Sequence, residues 1–115
     1  MKPMTPIQQE QINVRLLYNF VCKSENVNRV NLKFAKVGKG GGVCKFIPNT
    51  RIVSGIEMDL TQTSFGAAYV LLHEVAHQLE ISENMNATHN AKFEKRFKDL
   101  LKKYENCDIA SRLIF

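Results

Sequence analysis

The first quarter of the chain has apolar residues at helical spacing. From residue 7 to about residue 23 they recur every three or four positions, with polar residues on the opposite side. Pro6 is a residue that the first turn of a helix accepts, and Thr5 before it is an acceptable N-cap. The pattern predicts an amphipathic leading helix that packs one face on a core. Its predicted buried residues are Ile12, Leu16, Leu17, Phe20 and Val21.

The middle of the chain changes to an alternation of period two. Apolar side chains at Val30, Leu32 and Phe34 stand between polar or small ones, which is typical of a strand with one buried face. Residues 43–47 predict a second strand, and the alternation over residues 52–60 predicts a third. Because the connections are short, we expect the three strands to form an antiparallel β-meander.

A glycine-rich segment, residues 38–42, separates the first two predicted strands. Glycine runs also occur in loops that bind phosphate. This run, however, lacks the GxxxxGK[ST] order and precedes a strand rather than a helix. We therefore expect a hairpin turn at this position.

The second half of the chain returns to helical spacing. One helix is predicted from an N-cap at Thr63 or Ser64 to about Glu80, and residues 81–88 form a polar connection after it. The predicted core residues of this helix are Phe65, Ala68, Leu72, Val75, Ala76 and Leu79.

A last helix is predicted from His89 or Asn90 to about residue 104, and the apolar tail over residues 108–115 is expected to dock on the domain. The core residues of this helix are predicted to be Phe93, Phe97, Leu100, Leu101 and Tyr104. The order of elements predicts an α+β fold in a single domain over residues 1–115, with a leading helix, a three-stranded meander and two further helices.

One segment of the predicted second helix carries the side chains of a metal site. His73 and His77 stand four residues apart in an HExxH motif, so on a helix they lie one turn apart on the same face. Both imidazoles can therefore reach one metal ion. Glu74 lies beside these ligands, where a general base acting on metal-activated water belongs.

A catalytic zinc needs a third protein ligand and keeps its fourth position open for water. His89 is the only other histidine, and a helix–loop–helix reversal can bring it back towards His77. Among the carboxylates, Glu94 is the main alternative as third ligand. Glu80 falls on a different side of the helix from the two histidines, and Glu83 lies in the connection after it. Because imidazole suits zinc, His89 is the predicted third ligand.

Composition narrows the class of protein. The chain has 115 residues, of which 44% are apolar and 23% charged, an ordinary globular balance. Its three cysteines form no CxxC pair and are expected to be free thiols. No apolar run approaches the ~20 residues of a membrane span. The N-terminus lacks the apolar stretch of a signal peptide, so we expect a cytoplasmic protein that does not enter a membrane.

The order of these motifs resembles that of the SprT-like (Spartan-related) zinc metalloproteases. That family carries HExxH on one helix and a third histidine at the start of the next, commonly followed four residues later by an aromatic. The matching positions are residues 73–77, His89 and Phe93. The preceding helix and small sheet are also similar, so the likeness covers roughly residues 8–104. The chain departs from the family at Asn90, where glycine is frequent, and it has no CxxC pair for the zinc ribbon that many members add.

The resemblance implies a minimal zincin-like domain that hydrolyses peptide bonds in a protein or peptide substrate. His73, His77 and His89 would hold one zinc ion, with Glu74 as general base. Tyr69 and Tyr104 are candidates for stabilising the oxyanion, and the strand over residues 52–60 is a candidate edge for an extended substrate. Small members of the group are bacterial or phage-encoded, which favours the cytoplasm of a bacterial or phage-infected cell.

The charge balance favours an alternative function. Sixteen Lys and Arg against eleven Asp and Glu give a net charge of +5, and many of the lysines fall on the outer face of the last helix. Such a surface suits nucleic acid. The alternative is therefore a nucleic-acid-binding or interaction protein with a structural or vestigial zinc site. Its affinity for DNA would fall steeply with salt, whereas peptidase activity would be lost with a chelator.

Overall fold

The structure, a computed structural model, describes residues 3–38, 40–61 and 66–113. Within these ranges the chain forms three α-helices, three β-strands and a short 3-10 helix, Ala110–Arg112. The predicted α+β class is confirmed. The helices are α1 (Pro6–Glu25), α2 (Ala67–Asn84) and α3 (Ala91–Tyr104), and the strands are β1 (Asn31–Phe34), β2 (Gly42–Phe46) and β3 (Val53–Met58).

Helix α1 begins where the sequence predicts. The Thr5 hydroxyl accepts a hydrogen bond from the Gln8 backbone N–H at 3.1 Å, and the Gln8 side chain accepts one from the Thr5 N–H at 2.9 Å. This reciprocal capping box satisfies two N–H groups that the first turn would otherwise leave unpaired. The helix ends at Glu25, and Asn26 closes it in the left-handed conformation, with φ of 56°.

The buried face of α1 differs from the predicted one. Leu17 and Val21 lie in the core as predicted, but three others are exposed: Ile12, Leu16 and Phe20, at 41%, 40% and 39%. Helix α1 carries apolar residues on two adjacent stripes, so the sequence alone does not show which stripe faces the core. The polar contacts of Tyr18 determine which one does. Its hydroxyl donates to Gln78 Oε1 at 2.9 Å and accepts from the Val30 N–H at 3.0 Å, so the stripe with Tyr18 faces inward.

The three strands form a mixed sheet, and the predicted antiparallel meander is wrong. The strand order is β1-β3-β2, with β3 parallel to β1 and antiparallel to β2. The prediction placed consecutive strands side by side, which is a tendency of folds and not a rule. β3, the central strand, is also the most buried of the three. It buries Gly55, Ile56 and Met58, whereas β1 and β2 bury only Leu32 and Cys44, respectively.

The glycine-rich segment is consequently not a hairpin turn, because β1 and β2 lie on opposite sides of β3. The connection passes the end of β3. The Ala35 N–H donates to the Met58 carbonyl at 2.9 Å, and the Asp59 N–H donates to the Gly41 carbonyl at 2.8 Å. Gly40 and Gly41 have φ values of 96° and 77°, which glycine adopts without the Cβ clash of other residues.

Helix α2 is one turn longer at its C-terminal end than predicted. It continues to Asn84, and Met85 closes it with a φ of 54°, so the connection to α3 shrinks to residues 85–90. The Asn90 side chain accepts from the Phe93 N–H at 3.1 Å and caps α3, close to the predicted start. The residues predicted to begin α2 lie outside the described ranges: Thr63, Ser64 and Phe65.

Helix α2 lies at the centre of the core, between the sheet and the two other helices. The predicted core residues of α2 and α3 within the described ranges are buried, with Leu101 partly so. The tail docks as predicted through Ile109, Ala110 and Leu113, while residues 114–115 lie outside the described ranges. The three cysteines are free thiols. None of the helices in the described ranges combines the length and hydropathy of a membrane span.

Strand β2 lies so close to α2 at Gly42 that a side chain has no room there. A Cβ at this position would lie 2.7 Å from Val70 Cγ1 and 2.9 Å from Glu74 Oε2. Contacts this short force neighbouring atoms to move. Glycine at position 42 is therefore what allows the strand to cover this part of the helix.

We expect Gly42→Ala to lower the free energy of unfolding by about 1–3 kcal/mol, because overpacking pushes strand and helix apart. The matched control is Gly38→Ala, since a Cβ at Gly38 meets nothing within 4 Å. That variant should change stability by less than about 0.5 kcal/mol. Urea unfolding of both variants measures the difference. Equal stabilities would contradict the close contact between Gly42 and α2.

Candidate metal centre

Two of the candidate ligands lie on α2 and the third on the turn before α3. One helical turn separates His73 from His77, and their ring centroids are 4.9 Å apart. The turn over residues 85–90 reverses the chain and brings His89 to the same place. His89 Nε2 lies 2.9 Å from His77 Nε2 and 3.2 Å from His73 Nε2. The structure thus brings together the three histidines that the sequence singles out.

The three Nε2 atoms are spaced as metal ligands are. Zn–N bonds of about 2.0–2.1 Å at tetrahedral angles hold two nitrogens about 3.4 Å apart, close to the separations of 2.9 and 3.2 Å observed here. A neutral imidazole has one donor and one acceptor nitrogen, so three converging Nε2 atoms cannot all satisfy one another, whereas one cation satisfies all three. Within the described ranges this is the only group of its kind.

The protonation state of the histidines also suits a metal. Burial lowers the pKa of His73, and the neighbouring His89 lowers it further. Burial together with the two other imidazoles lowers the pKa of His77 to about 4. Neutral imidazole is the form that binds a metal ion. At neutral pH the two rings on α2 are therefore ready to act as ligands.

Phe93 forms the base of the histidine cluster. It is fully buried and stacks on His77, with ring centroids 4.2 Å apart and planes inclined by 23°. Its centroid also lies 5.0 Å from that of His73 and 4.9 Å from that of His89. A single aromatic ring in contact with all three imidazoles limits their rotation and keeps water away from this side.

Glu74 lies next to His73 on α2 but in a different environment. Its side chain is only 4% exposed and packs under Gly42 of β2. Burial raises the pKa of this carboxyl to about 7. A carboxyl group with a pKa near neutrality can both accept and release a proton at neutral pH. Glu74 therefore has the property that a general base needs.

None of the three rival carboxylates belongs to the group of converging ligand atoms. Glu94 is exposed and does not belong to the metal-binding group, although its charge acts to raise the pKa of His73. Glu80 and Glu83 both form ion pairs with Arg96, and the Glu80 Oε2 atom lies 2.7 Å from Arg96 Nε. Of the candidate third ligands, the structure brings only His89 to the pair on α2.

A cavity of about 380 Å³ opens over the histidines and Glu74. Tyr69 lines it, whereas the Tyr104 hydroxyl donates to Glu25 where α1 meets α3, so Tyr104 does not face the cavity. Cys44 also lines the cavity, but burial and the charge of Glu74 raise the pKa of its thiol to about 12. The remaining walls are largely apolar: Val43, Phe46, Val70, Ile81 and Ala87.

Sequence reasoning missed two contributors to the site. Gly42 is one, and nothing distinguishes it from the other glycines of its run. The second is the hydrogen-bonded turn that carries His89, organised by Asn86. A signal for this turn was available, because Asn84, Asn86 and Asn90 cluster there and asparagine favours turns and helix caps.

Comparisons with known proteins identify no family for this chain. No family model, no curated protein and no solved structure matches it. The resemblance to SprT-like proteases therefore stays a prediction.

The raised pKa of Glu74 predicts how the stability of the metal-free protein depends on pH. Between about pH 4.5 and 7 the unfolded state loses its proton from Glu74 while the folded state retains it, so stability falls as pH rises through this window. Glutamine at position 74 does not titrate, so the Glu74→Gln variant does not show this fall in stability. Relative to wild type, the variant should gain about 2–3 kcal/mol between pH 5 and pH 8.

Urea unfolding at several pH values, with a chelator present throughout, measures this gain. The effects of the histidines are common to both proteins and cancel in the difference. A difference in stability that stays constant from pH 5 to pH 8 would contradict the raised pKa of Glu74.

Proposed function

We propose that this protein is a zinc-dependent metallopeptidase with a minimal zincin-like domain of the SprT-like kind. One observation carries the proposal. Three imidazole nitrogens converge at one end of a cavity that also contains a buried carboxyl group with a pKa near 7. A ligand set that leaves one position open, beside a group poised to move a proton, is the arrangement of hydrolytic metal sites.

Zinc is the metal that these donors suit best. Three imidazoles without thiolates or carboxylates fit zinc, and an HExxH helix with a separate third ligand is typical of catalytic zinc sites. When bound, zinc supplies a Lewis acid that polarises a carbonyl oxygen and makes water acidic at neutral pH. The contribution of His73, His77 and His89 is to hold the ion while leaving access from the cavity.

Glu74 carries the proton in the proposed reaction. It accepts one proton from water as the water oxygen forms its bond to the carbonyl carbon of the substrate. It then releases that proton to the amine nitrogen as the peptide C–N bond breaks. Burial of Glu74 favours transfer of the proton onto its carboxyl, and the wall formed by β2 limits the access of other water to this group.

The open edge of β2 suits an extended peptide. No described strand pairs with its outer edge, and β2 lines the cavity. The Asp59 N–H bonds to the Gly41 carbonyl, and in an antiparallel pair every second residue forms such backbone hydrogen bonds. Val43 and Lys45 are therefore the next residues of β2 whose backbone groups bond to β3. The backbone N–H and C=O groups of Gly42 and Cys44 then point outward. A substrate strand can pair with these groups while its side chains meet the apolar walls.

The strand over residues 52–60 is the wrong candidate for this role. It contains β3, whose two edges are already paired with β1 and β2. The outer edge of β1 is also occupied, since Arg15 Nη1 donates to the Leu32 carbonyl at 2.8 Å and its guanidinium lies 4.8 Å from the centre of the Phe34 ring. Of the three described strands, β2 alone offers an edge beside the histidines.

The alternative function, binding of nucleic acid, has weaker support. Lys45, Lys95 and Lys103 each lie within 3.2 Å of a carboxylate oxygen, so part of the positive charge counted from the sequence is paired. Ion pairs of this kind reduce the field available to phosphate groups. We therefore propose peptide hydrolysis and leave the nucleic-acid interaction as a prediction from composition.

The mechanism predicts separate roles for base and ligand. We expect Glu74→Gln to retain about one equivalent of zinc and to lose hydrolysis by at least about 10²-fold, because glutamine cannot accept the proton. His89→Ala should instead weaken zinc binding, since it removes a ligand. The measurements are zinc content after gel filtration and the rate of cleavage of an unfolded, fluorescently labelled protein.

Glu94→Gln is the control, because it neutralises a nearby but exposed carboxylate, and it should retain both zinc and activity. Hydrolysis by Glu74→Gln would contradict the proposed base. Unchanged zinc affinity in His89→Ala together with its loss in Glu94→Ala would make Glu94 the third ligand and the family assignment wrong.

The edge of β2 predicts an alternating dependence on the backbone of the substrate. In a set of cleavable peptides carrying one N-methyl group each, methylation of every second nitrogen near the scissile bond should raise KM about tenfold, through loss of one hydrogen bond to Gly42 or Cys44. The nitrogens between them point away and should tolerate the methyl group. Equal tolerance at all positions would contradict pairing with β2.

A further inference from the structure

One buried carboxylate organises the junction between α2 and α3. Glu80 is only 1% exposed, yet both of its oxygens accept hydrogen bonds from side chains. Oε1 accepts from Asn86 Nδ2 at 3.0 Å. Oε2 accepts from Asn84 Nδ2 at 3.1 Å and from Arg96 Nε at 2.7 Å. Glu80 therefore connects α2, the turn over residues 85–90 and α3.

The Asn86 side chain extends this connection to both neighbours of His89. Its Oδ1 atom accepts from the Thr88 N–H at 3.1 Å and from the Thr88 hydroxyl at 2.7 Å. Its Nδ2 atom donates to Asn90 Oδ1 at 2.9 Å as well as to Glu80. The residues immediately before and after His89 are thus fixed to one amide group, which is itself fixed to Glu80.

Apolar packing does little to hold this turn. Ala87, Thr88 and His89 are all exposed, and Phe93 is the nearest buried anchor of the segment. Met85 at the start of the turn has a φ of 54°, a conformation that costs a residue other than glycine about 1 kcal/mol. Backbone hydrogen bonds from Met85 to Ile81 and from Asn86 to Glu80 fix the first residues of the turn. The position of His89 further along depends on the side-chain contacts of Asn86 and Glu80.

We propose that Glu80 is a positioning residue for the third metal ligand: acting through Asn86, it holds His89 where its imidazole meets those of His73 and His77. This inference rests on the metal site of the proposed function and extends it to a residue that does not touch the metal. Groups that orient a ligand in this way commonly change metal affinity 10–100-fold when removed.

Glu80→Gln tests this role with little change of shape. Both oxygens of Glu80 face donors, so the NH₂ group of glutamine must face either Asn86 or Arg96, and one contact is lost. The hydrogen bond from the charged guanidinium is the stronger of the two, so the carbonyl oxygen turns to Arg96 and Asn86 is released. Water has little access to replace it at a site that is 1% exposed.

The experiment measures the zinc affinity of the full chain by competition with a chromogenic chelator. Glu80→Gln should bind zinc about 10–100-fold more weakly than wild type. Asn86→Ala, which leaves the ion pair between Glu80 and Arg96 intact, should show a loss of similar size. Glu83→Gln is the matched control, because Glu83 also pairs with Arg96 but is exposed and is not among the hydrogen-bond partners of Asn86. The zinc affinity of this variant should stay within about twofold of wild type.

A double-mutant cycle separates positioning from general stability. If Glu80 acts through His89, then Glu80→Gln should weaken zinc binding very little further in a protein that already carries His89→Ala. The absorption spectrum of the Co²⁺-loaded protein should also change in the same direction in Glu80→Gln and His89→Ala. A structural role alone would lower the thermal midpoint of the metal-free protein and leave the two effects on affinity additive.

Two results overturn the inference. One is unchanged zinc affinity in both Glu80→Gln and Asn86→Ala, and the other is additivity of Glu80→Gln with His89→Ala. Neither result affects the proposed peptidase function, which fails separately if Glu74→Gln still hydrolyses protein. A wild-type chain without zinc affinity would overturn both.

Discussion

Burial of a helix that carries polar side chains is the constraint on which the rest of the structure depends. Most of α2 is buried, including the polar residues His77, Gln78 and Glu80. A buried polar group without a partner costs a large fraction of the stability of a small domain, so each of these side chains needs one. The partners come from different elements. Gln78 bonds to Tyr18 of α1 and to the backbone before β1, Glu80 bonds to α3 and the turn before it, and His77 meets His89. Supplying partners for the buried polar side chains of α2 therefore brings the other elements together around this helix.

The two buried carboxyl groups of α2 illustrate how environment assigns different properties to one residue type. Burial alone acts on Glu74 and raises its pKa to about 7. Burial also acts to raise the pKa of Glu80, but hydrogen bonds from Asn86, Arg96 and Asn84 outweigh it and lower that pKa below its usual range. The lowered pKa favours the charged form of Glu80, which suits a structural role, whereas Glu74 can exchange a proton. Pairs of titratable groups driven apart in this way are a feature of many catalytic sites.

Local spacing is the part of this protein that its sequence makes predictable. The one-turn separation of His73 and His77, the cap at Thr5 and the start of α3 near Asn90 depend on residues close in the chain, and these features agree with the structure. Sheet order and the inward face of α1 depend on contacts between distant residues. Tyr18 finds its partner 60 positions away at Gln78, and no periodicity within α1 encodes that choice. The role of Glu80 was not predicted for a related reason, because its partners come close only when the helices pack together.

The mixed order of the sheet sets the sequence of events when the chain folds. β2 and β3 pair across the short connection of residues 47–52, whereas β1 must close a longer loop to pair Asn31 with Gly55 in parallel. Because the entropy of loop closure grows with length, we expect the β2–β3 hairpin to form before β1 joins it. The histidine cluster belongs to the contiguous segment of α2 and α3 and involves no strand. The ligands therefore meet through contacts within one contiguous segment, residues 73–89, whereas enclosing Glu74 requires the long-range packing of β2 on α2.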